Sequence, residues 1–464
     1  MKKYFGDRVF IAGICGISMS ALALMLKGCG IKVLGADINR ECKKAEELES
    51  LGISVVDPTN LNAIADFNPT ALIYSVAIKT TDAEIVWAKE HNVKVMCRGE
   101  ALGYVVNKFN KLIAVSGSHG KTTTTALITN ILKNSNIDFS AHIGGQAIDI
   151  GGNVQFNRDS DTMVVEACEY FDSFLWLLPT IAVILNVQCD HLDYFKSEEN
   201  LKNSFVKFAE NVRSGGCVIV NLDDEGSQYV MQHISSKRIW TFSLYNTSAN
   251  IYVDSFQKLG DGTFNFSVVY EGRKIDNLHL NAVGEHNLYN ALASVLVAKI
   301  LGIDENAIKR GLDLFGGVKR RYERLGEING VKIIHDYAHH PEELHAVIEE
   351  TKSNIEDGRL FVVFESHTYS RTKALFDEFA ECLKLAYRAI TLPIYPAREF
   401  PIEGISGETL ATRVNELGGA CYFMPDYNSV KLVLSRLTSV GDVVLLLGAG
   451  NIDKLGDFLI KEGW

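Results

Sequence analysis

The segment Leu112-Ile-Ala-Val-Ser-Gly-Ser-His-Gly-Lys-Thr-Thr-Thr-Thr125 leaves this chain few folding choices. An apolar run suited to a buried strand ends at Ser116, a turn bounded by Gly117 and Gly120 follows, and Ala126-Leu-Ile-Thr-Asn-Ile-Leu132 continues as a helix. A strand that passes through a glycine turn into a helix belongs to an α/β fold. Its turn gathers backbone amides at a helix N-terminus, which makes a seat for phosphate. Lys121 is placed to reach terminal phosphates, and the Thr122 hydroxyl to face a magnesium ion. Only Ser118 and His119 separate the glycines, so the loop is shorter than G-x-x-x-x-G-K-[ST]. A bare strand-to-helix turn would not need lysine and a threonine run in this order. Gly117, Ser118, His119, Gly120, Lys121, Thr122 and Thr123 are therefore the candidate nucleotide-phosphate ligands.

With 464 residues the chain is long for one core, and about three domains of roughly 150 residues are expected. A net charge of −11 argues against a nucleic-acid or membrane-surface partner. Nine scattered cysteines without a C-x-x-C pair fit reduced, mostly buried thiols. Met1-Lys-Lys followed by the apolar stretch Val9 to Leu26 has the outline of a signal peptide, but Asp7, Arg8, Gly13 and Gly16 divide it into strand, turn and helix. No segment holds the roughly 18 apolar residues of a membrane span, so a cytoplasmic protein without membrane insertion is expected.

In the first hundred residues, apolar runs at Val9–Ala12, Ile31–Leu34, Ala71–Tyr74 and Val93–Met96 alternate with helical patterns at Ser18–Lys27, Glu41–Leu51 and Asp82–His91. This pattern predicts a parallel sheet covered by helices. The turn Gly13-Ile-Cys-Gly-Ile-Ser18 lies where a nucleotide pyrophosphate sits in such folds. Cys15 and Ser18 break G-x-G-x-x-G, which disfavours a nicotinamide or flavin dinucleotide and leaves another nucleotide diphosphate. Asp37, ending the second strand, either bonds a ribose or base or is a solvated turn residue.

The middle section continues with strands near 162–166, 181–185 and 217–221, then an antiparallel excursion over 240–283 and helices over 286–301 and 305–315. Gly316-Gly317 and Lys319-Arg-Arg321 mark a boundary. Strand-like runs resume at Val331–Ile334, Leu360–Phe364, Arg388–Leu392 and Val443–Leu447, predicting a second doubly wound unit.

Three further clusters carry chemistry. Glu166 and then Glu169, in Val164-Val-Glu-Ala-Cys-Glu-Tyr-Phe-Asp-Ser-Phe174, are candidates to hold magnesium, with Asp172 better suited to a solvated loop. Asn186, Asp190, His191 and Asp193 follow the next strand, where a histidine between two acids favours a metal or phosphate role. His335-Asp-Tyr-Ala-His-His-Pro341 and Ser366-His-Thr-Tyr-Ser-Arg371 place imidazole, hydroxyl and guanidinium groups at two adjacent strand ends, suited to a small zwitterion or an oxyanion. His340 shapes the turn before Pro341 in the plainer reading.

Taken in order, Ser116-Gly-Ser-His-Gly-Lys-Thr-Thr-Thr124, Glu166-Ala-Cys-Glu, Asn186 with Asp190-His191, Gly284-Glu-His-Asn-Leu-Tyr-Asn-Ala291, Arg320-Arg-Tyr-Glu323 and Asp336-Tyr-Ala-His-His-Pro341 resemble the Mur ligases along essentially the whole chain. The resemblance implies an α/β protein of three domains. A Rossmann-like, UDP-sugar-binding domain would span 1–109, a central P-loop ATP-binding domain 110–322, and a Rossmann-like amino-acid-binding domain 323–464, with hinges near 109 and 322.

The resemblance also implies ATP and Mg2+ as cofactors. The phosphates would be held by the loop with Lys121, the metal by Thr122, Glu166 and His191, and the rest of ATP by His286, Asn287, Asn290, Arg321 and Asp336. His286 fits adenine stacking and a helix cap equally. The sugar nucleotide would fall to Gly13, Gly16, Ser18, Met19, Asp37 and Ser75, and the amino acid to Tyr337, His339 and Arg371. Lys121, Glu166, His191, His339 and Arg371 would be catalytic. Thr368 stands where the family often has arginine. Within the family, the turn Gly13 to Ser20 and the segment Ser366 to Arg371 are most similar to the type that joins L-alanine to UDP-N-acetylmuramate. The alternative is the type that recycles a preformed peptide onto the same sugar. A monomer or weak homodimer is expected.

Overall fold

The computed structural model describes residues 1–189, 191–235, 238–397 and 399–464, with only the backbone of 192 and 193. It contains three sheets. In the first, five parallel strands lie in the spatial order Ser54–Val56, Lys32–Ala36, Arg8–Ala12, Ala71–Tyr74 and Lys94–Cys97. The order reverses beside Arg8–Ala12, so the crevice at a topological switch point opens above Gly13 and Ser75. Alternate residues of these strands enter opposite layers: Phe10, Ala12, Leu34 and Leu72 pack on one face, Val9, Ile11, Ala71 and Ile73 on the other. A sheet buried on both faces explains why its strands read as continuous apolar runs. Ser54–Val56 and the helices Leu61–Phe67 and Arg98–Val106 add to the sequence expectation. The strand's Ser-Val-Val is too short to carry a periodic signal.

The middle sheet has ten strands, with Lys111–Ser116 between Thr162–Glu166 and Ile181–Ile184, all parallel. Beyond Arg238–Ser243, the strands Ile251–Lys258, Phe264–Tyr270 and Arg273–Leu280 form the antiparallel excursion, whose third strand alternates buried Ile275, Leu278 and Leu280 with exposed charges. At the other side runs Phe139–Ala147, which gives no apolar run in the sequence because glycine, serine and glutamine interrupt it. The apolar layer under the first sheet is continuous with this one, joining Met19, Leu26 and Phe109 to Leu112, Ala114, Met163 and Ala182. Met1–Leu259 and Thr263–Gly317 accordingly form one compact unit, and Gly260–Gly262 with Val318–Trp464 a second.

The second unit holds six strands in the order Glu323–Ile328, Val331–Asp336, Val443–Leu447, Leu360–Phe364, Arg388–Thr391 and Cys421–Phe423. All pair in parallel except the first two, which form a hairpin turned by Asn329 and Gly330 at φ 50° and 81°. Two successive left-handed residues are what a two-residue hairpin turn requires. The strands at 331 and 360 are not adjacent as the sequence reading had them, because Val443–Leu447 lies between.

No helix among the described residues is long and apolar enough to cross a membrane. All nine cysteines are free thiols, but only Cys29, Cys217, Cys382 and Cys421 are buried, and Cys189 is exposed.

Asp442 fastens the lower ends of the central strands in the second unit. Its carboxylate accepts the backbone N–H groups of Arg359 and Ser439 at 2.8 Å each and pairs with the Arg359 guanidinium at 2.7 Å, while its carbonyl accepts Lys332 N–H at 3.1 Å. Burial opposes the Asp442 charge, but these bonds outweigh it and hold its pKa below the usual carboxylate value. Asp442→Asn is expected to cost this unit about 2 kcal/mol, since the guanidinium partner is partly exposed. Because the folded pKa is lowered, the stabilisation is present at neutral pH and lost as the carboxylate protonates. Urea midpoints of the variant and parent should therefore converge below about pH 4.

Candidate active site

Strand Lys111–Ser116 delivers its turn between two neighbours whose own ends brace it. Ser118 N–H donates to Asn186 O at 3.1 Å, and the Asn186 side chain accepts His119 N–H at 2.8 Å and donates to His119 O at 3.2 Å. Ser118 Oγ donates to Gln188 O and accepts Gln188 N–H. Gly120 has φ 84°, and a Cβ there would lie 2.4 Å from Asn290 Oδ1. Both the left-handed backbone and the close approach require glycine. Helix Lys121–Lys133 begins with no side-chain cap. Its first-turn amides at Lys121, Thr122 and Thr123 thus belong to the group a helix leaves unpaired, next to the positive end of its dipole. An anion fits this cradle.

Lys121 Nζ donates to Gly117 O at 2.5 Å, Ser118 O at 2.9 Å and Glu169 Oε1 at 3.0 Å. Burial disfavours its charge, but Glu169, Cys168 and Glu166 outweigh this and raise its pKa. Glu169 is 1% exposed; its Oε1 also stands 3.8 Å from His191 Nε2, while its Oε2 is buried without a hydrogen-bond partner among the described residues. The acid ranked second in the sequence is therefore the one against Lys121. Glu166, in register with Val115, sits beside the loop and accepts Gly144 N–H at 2.8 Å. Gly144 has to be glycine, since a Cβ would meet that carboxylate at 2.1 Å.

His191, on the loop's other flank, has φ 54° and packs at 4.4 Å against Tyr170, the rings tilted by 33°. Asp190 and the Asp193 side chain lie outside the described residues. Asp172 is not a solvated loop residue: it accepts the Tyr194 hydroxyl at 2.8 Å and the Ser204 hydroxyl, tying the two acidic segments together. Among the described residues no three His, Cys, Asp or Glu side chains form a ready metal cage. Magnesium takes few protein ligands and completes its shell with water and phosphate oxygens, and the hydroxyl and carboxylate oxygens around this loop are the donors that suit it.

Asn287 and Asn290 are buried beneath the loop. Asn290 Nδ2 donates to Asn287 Oδ1, Asn290 Oδ1 accepts the Thr124 hydroxyl, and Asn287 Nδ2 donates to Val283 O. Their amides brace the cradle rather than standing free for adenine. His286 is exposed at the start of helix His286–Ile300, and its ring folds over Gly284, where a Cβ would come within 2.5 Å.

At the first sheet's switch point, Gly13 has φ 76° and Gly16 starts helix Ile17–Gly28 without a side-chain cap, a second anion seat. Asp37 is half-buried in the turn. Its oxygens accept the Cys15 and Asn39 N–H groups at 3.0 Å each, so it pins the turn. The Met19 side chain is buried in the core and packs beneath the turn, within 3.7 Å of where a Cβ at Gly16 would stand. Ser18 Oγ meets His142 Nε2 at 3.0 Å and accepts from Arg98 at 3.2 Å. Neither Arg98 nor His142 carries a local sequence signal, because Arg98 opens helix Arg98–Val106 and His142 arrives from strand Phe139–Ala147. Ser75 begins the facing loop, its N–H on Ala12 O.

In the second unit, both Asp336 oxygens accept backbone N–H groups, from Tyr322 at 2.7 Å and Ala338 at 2.8 Å, so Asp336 shapes the Tyr337 turn. The guanidinium groups of Arg320 and Arg321 lie 5.0 and 5.3 Å from the Tyr337 ring. His339 Nδ1 is 3.0 Å from Tyr337 O, a contact that requires Nδ1–H and leaves Nε2 as the acceptor. Burial, partly offset by Glu343, lowers its pKa and keeps it neutral. Burial and Arg371 lower His367 to about 4, and its ring stands 6.4 Å from that of His339. His340 does shape the turn, capping helix Pro341–Ser353 together with Glu343.

The sequence reading passed over Glu365 and quoted Arg320 in a motif without giving it a role. Arg320 donates to Gly450 O at 2.7 Å, and Glu365 accepts the N–H groups of Asn451 and Ile452 at the next helix start.

Sequence models of three Mur ligase domains match this chain: the Mur ligase family catalytic domain over residues 9–110, the middle domain over 115–298 and the glutamate ligase domain over 320–450. The UDP-N-acetylmuramate–L-alanine ligase of Caldicellulosiruptor bescii is 38% identical over 466 aligned positions, covering 100% of this chain and 99% of that one. The crystal structure of the UDP-N-acetylmuramate–alanine ligase of Thermotoga maritima superposes with a TM-score of 0.83 at 26% identity, covering 98% of both chains. A murein peptide ligase from Psychrobacter arcticus shares the fold, with a TM-score of 0.71 at 22% identity and 98% coverage of each chain.

Gly120→Ala should weaken binding of a fluorescent nucleoside triphosphate at least about tenfold in an anisotropy titration, from strain at positive φ plus the clash with Asn290. Its melting temperature should fall by only a few degrees. A second outcome follows from Glu365, whose carboxyl burial pushes up to about 7. A carboxyl with a raised folded pKa loses stability as pH climbs from its ordinary value through the raised one. Glu365→Gln should therefore melt above the parent at pH 8 and with it near pH 4.5.

Proposed function

The chain belongs to the Mur ligase family, and from that membership we propose that it joins L-alanine to the lactyl carboxylate of UDP-N-acetylmuramate at the expense of ATP, as a step in peptidoglycan precursor synthesis. The observation that carries this reading is the match along the whole chain to relatives bearing that activity in their names. The phosphate cradle at Lys121 supplies the chemistry such a ligase needs.

A carboxylate is a poor electrophile, so it is first phosphorylated to an acyl phosphate, which alanine's amine then attacks with loss of phosphate. Lys121 and the unpaired amides of helix Lys121–Lys133 bind and neutralise the phosphoryl oxygens as charge shifts among them. Magnesium, held by Thr122, Glu166 and His191, would add its charge to the same oxygens. Asn186, Ser118 and Asn290 keep the loop in the shape that offers those amides, so they act through it rather than on substrate. The turn at Gly13 and Gly16, with Ser18, Arg98 and His142, binds the sugar's diphosphate.

Tyr337, His339 and Arg371 receive the amino acid. Arg371 pairs with its carboxylate. His339, neutral and with Nε2 free to accept, takes the proton that the ammonium must lose before nitrogen can attack. An acyl phosphate exposed to water hydrolyses, so the reaction must run in a closed site.

Phosphate release should require ATP, UDP-N-acetylmuramate and L-alanine together, measured in a coupled assay with each omitted in turn. Release with a preformed tripeptide in place of L-alanine would assign the chain to peptide recycling instead. Lys121→Ala should lower the rate at least about a thousandfold while leaving binding of the sugar nucleotide within about threefold by calorimetry.

A further inference from the structure

The ammonium of Lys121 has three protons, and the structure places an acceptor at each: Gly117 O, Ser118 O and Glu169 Oε1. Lys121 cannot bond a triphosphate without giving up at least one of them. Of the three, Glu169 matters most, because it is the only one that is charged.

Its carboxylate is 1% exposed, and Oε2 is buried with no hydrogen-bond partner among the described residues. His191 Nε2, at 3.8 Å from Oε1, is beyond hydrogen-bonding distance. If Lys121 turned to a phosphate, Glu169 would be left as a buried carboxylate facing an incoming polyanion. A buried charge stripped of its partner is among the costlier arrangements a protein can hold. A cation has to replace the lysine as the lysine leaves.

We propose that Glu169 is a positioning residue that makes nucleotide binding conditional on a divalent cation: its carboxylate holds Lys121 and releases it only when a cation takes over the carboxylate's charge. Two observations converge on this, the saturated lysine and the unpartnered oxygen. A role confined to bracing the loop would account for the first alone. The inference rests on the ATP-binding reading above and adds to it an order of events. Metal and triphosphate bind as a pair, because either alone leaves one buried charge unmatched.

The test is a titration of the full-length protein with a fluorescent ATP analogue, in magnesium and in EDTA, with no sugar or amino acid present. The parent should bind at least about tenfold more weakly in EDTA. Glu169→Gln, nearly isosteric but uncharged, should bring the two affinities to within about twofold. It should do so by tightening metal-free binding, since Lys121 is freed, and by weakening binding in magnesium. Glu169→Asp, which keeps the charge on a shorter arm, should fall between; it carries the test if the glutamine variant loses its cooperative melt. A folded variant that keeps the parent's ratio overturns the inference while leaving the functional reading intact. A parent that binds the analogue under neither condition overturns both.

Discussion

A phosphate loop of this kind works only if its amides face outward while its carbonyls and side chains are satisfied from behind. In this protein that support comes from outside the loop. Strand Lys111–Ser116 is central in its sheet, so its neighbours end on either side of the turn. One neighbour brings Asn186 and Gln188 against Ser118 and His119; the other brings Glu166 and Glu169. Asn290 closes the arrangement from the helix beneath. The parallel sheet thus gathers at one edge residues separated by more than a hundred positions in sequence.

Much of this was legible from the chain. Gly117, Gly120 and Lys121 carry their roles in local order, and the apolar runs of parallel strands mark most of both Rossmann-like sheets. What escaped depends on the partner across the sheet. Phe139–Ala147 brings Gly144 against the Glu166 carboxylate, an approach that no local periodicity records. Glu166 and Glu169 are three residues apart and chemically alike, and only the path of the chain after the strand decides which one reaches Lys121. Asp336 and Asp37 look like ligands in sequence, yet in the structure their carboxylates also hold backbone N–H groups, and Asn287 bonds the Asn290 side chain and Val283 O. Strand Val443–Leu447 was recognised, but its insertion between two earlier strands is a matter of topology.

The second unit shows another kind of economy. Arg320 Nε, His335 Nε2, Glu365 Oε2 and His367 Nδ1 are all buried without a hydrogen-bond partner among the described residues. Burial and Arg320 hold His335 near 4, and burial holds Glu365 near 7, so each is driven toward its neutral form. Neutral groups limit the cost of burial, whereas the same set fully ionised would be expensive in a low-dielectric interior. Polar capacity left unspent at strand ends is costly to the fold and useful to a ligand.

The continuous apolar layer beneath the first two sheets bears on how the protein is made. The layer that Met19, Leu26 and Phe109 share is completed only when Leu112, Met163 and Ala182 have been synthesised. The first sheet therefore leaves the ribosome with the helices on one face still partly uncovered, and it waits for some seventy further residues, roughly four to fourteen seconds at ordinary rates of translation. During that interval the nascent chain shows a helix-lined apolar surface to its surroundings. The turn at Gly13 and the loop at Lys121 then mature together, as parts of one compact unit.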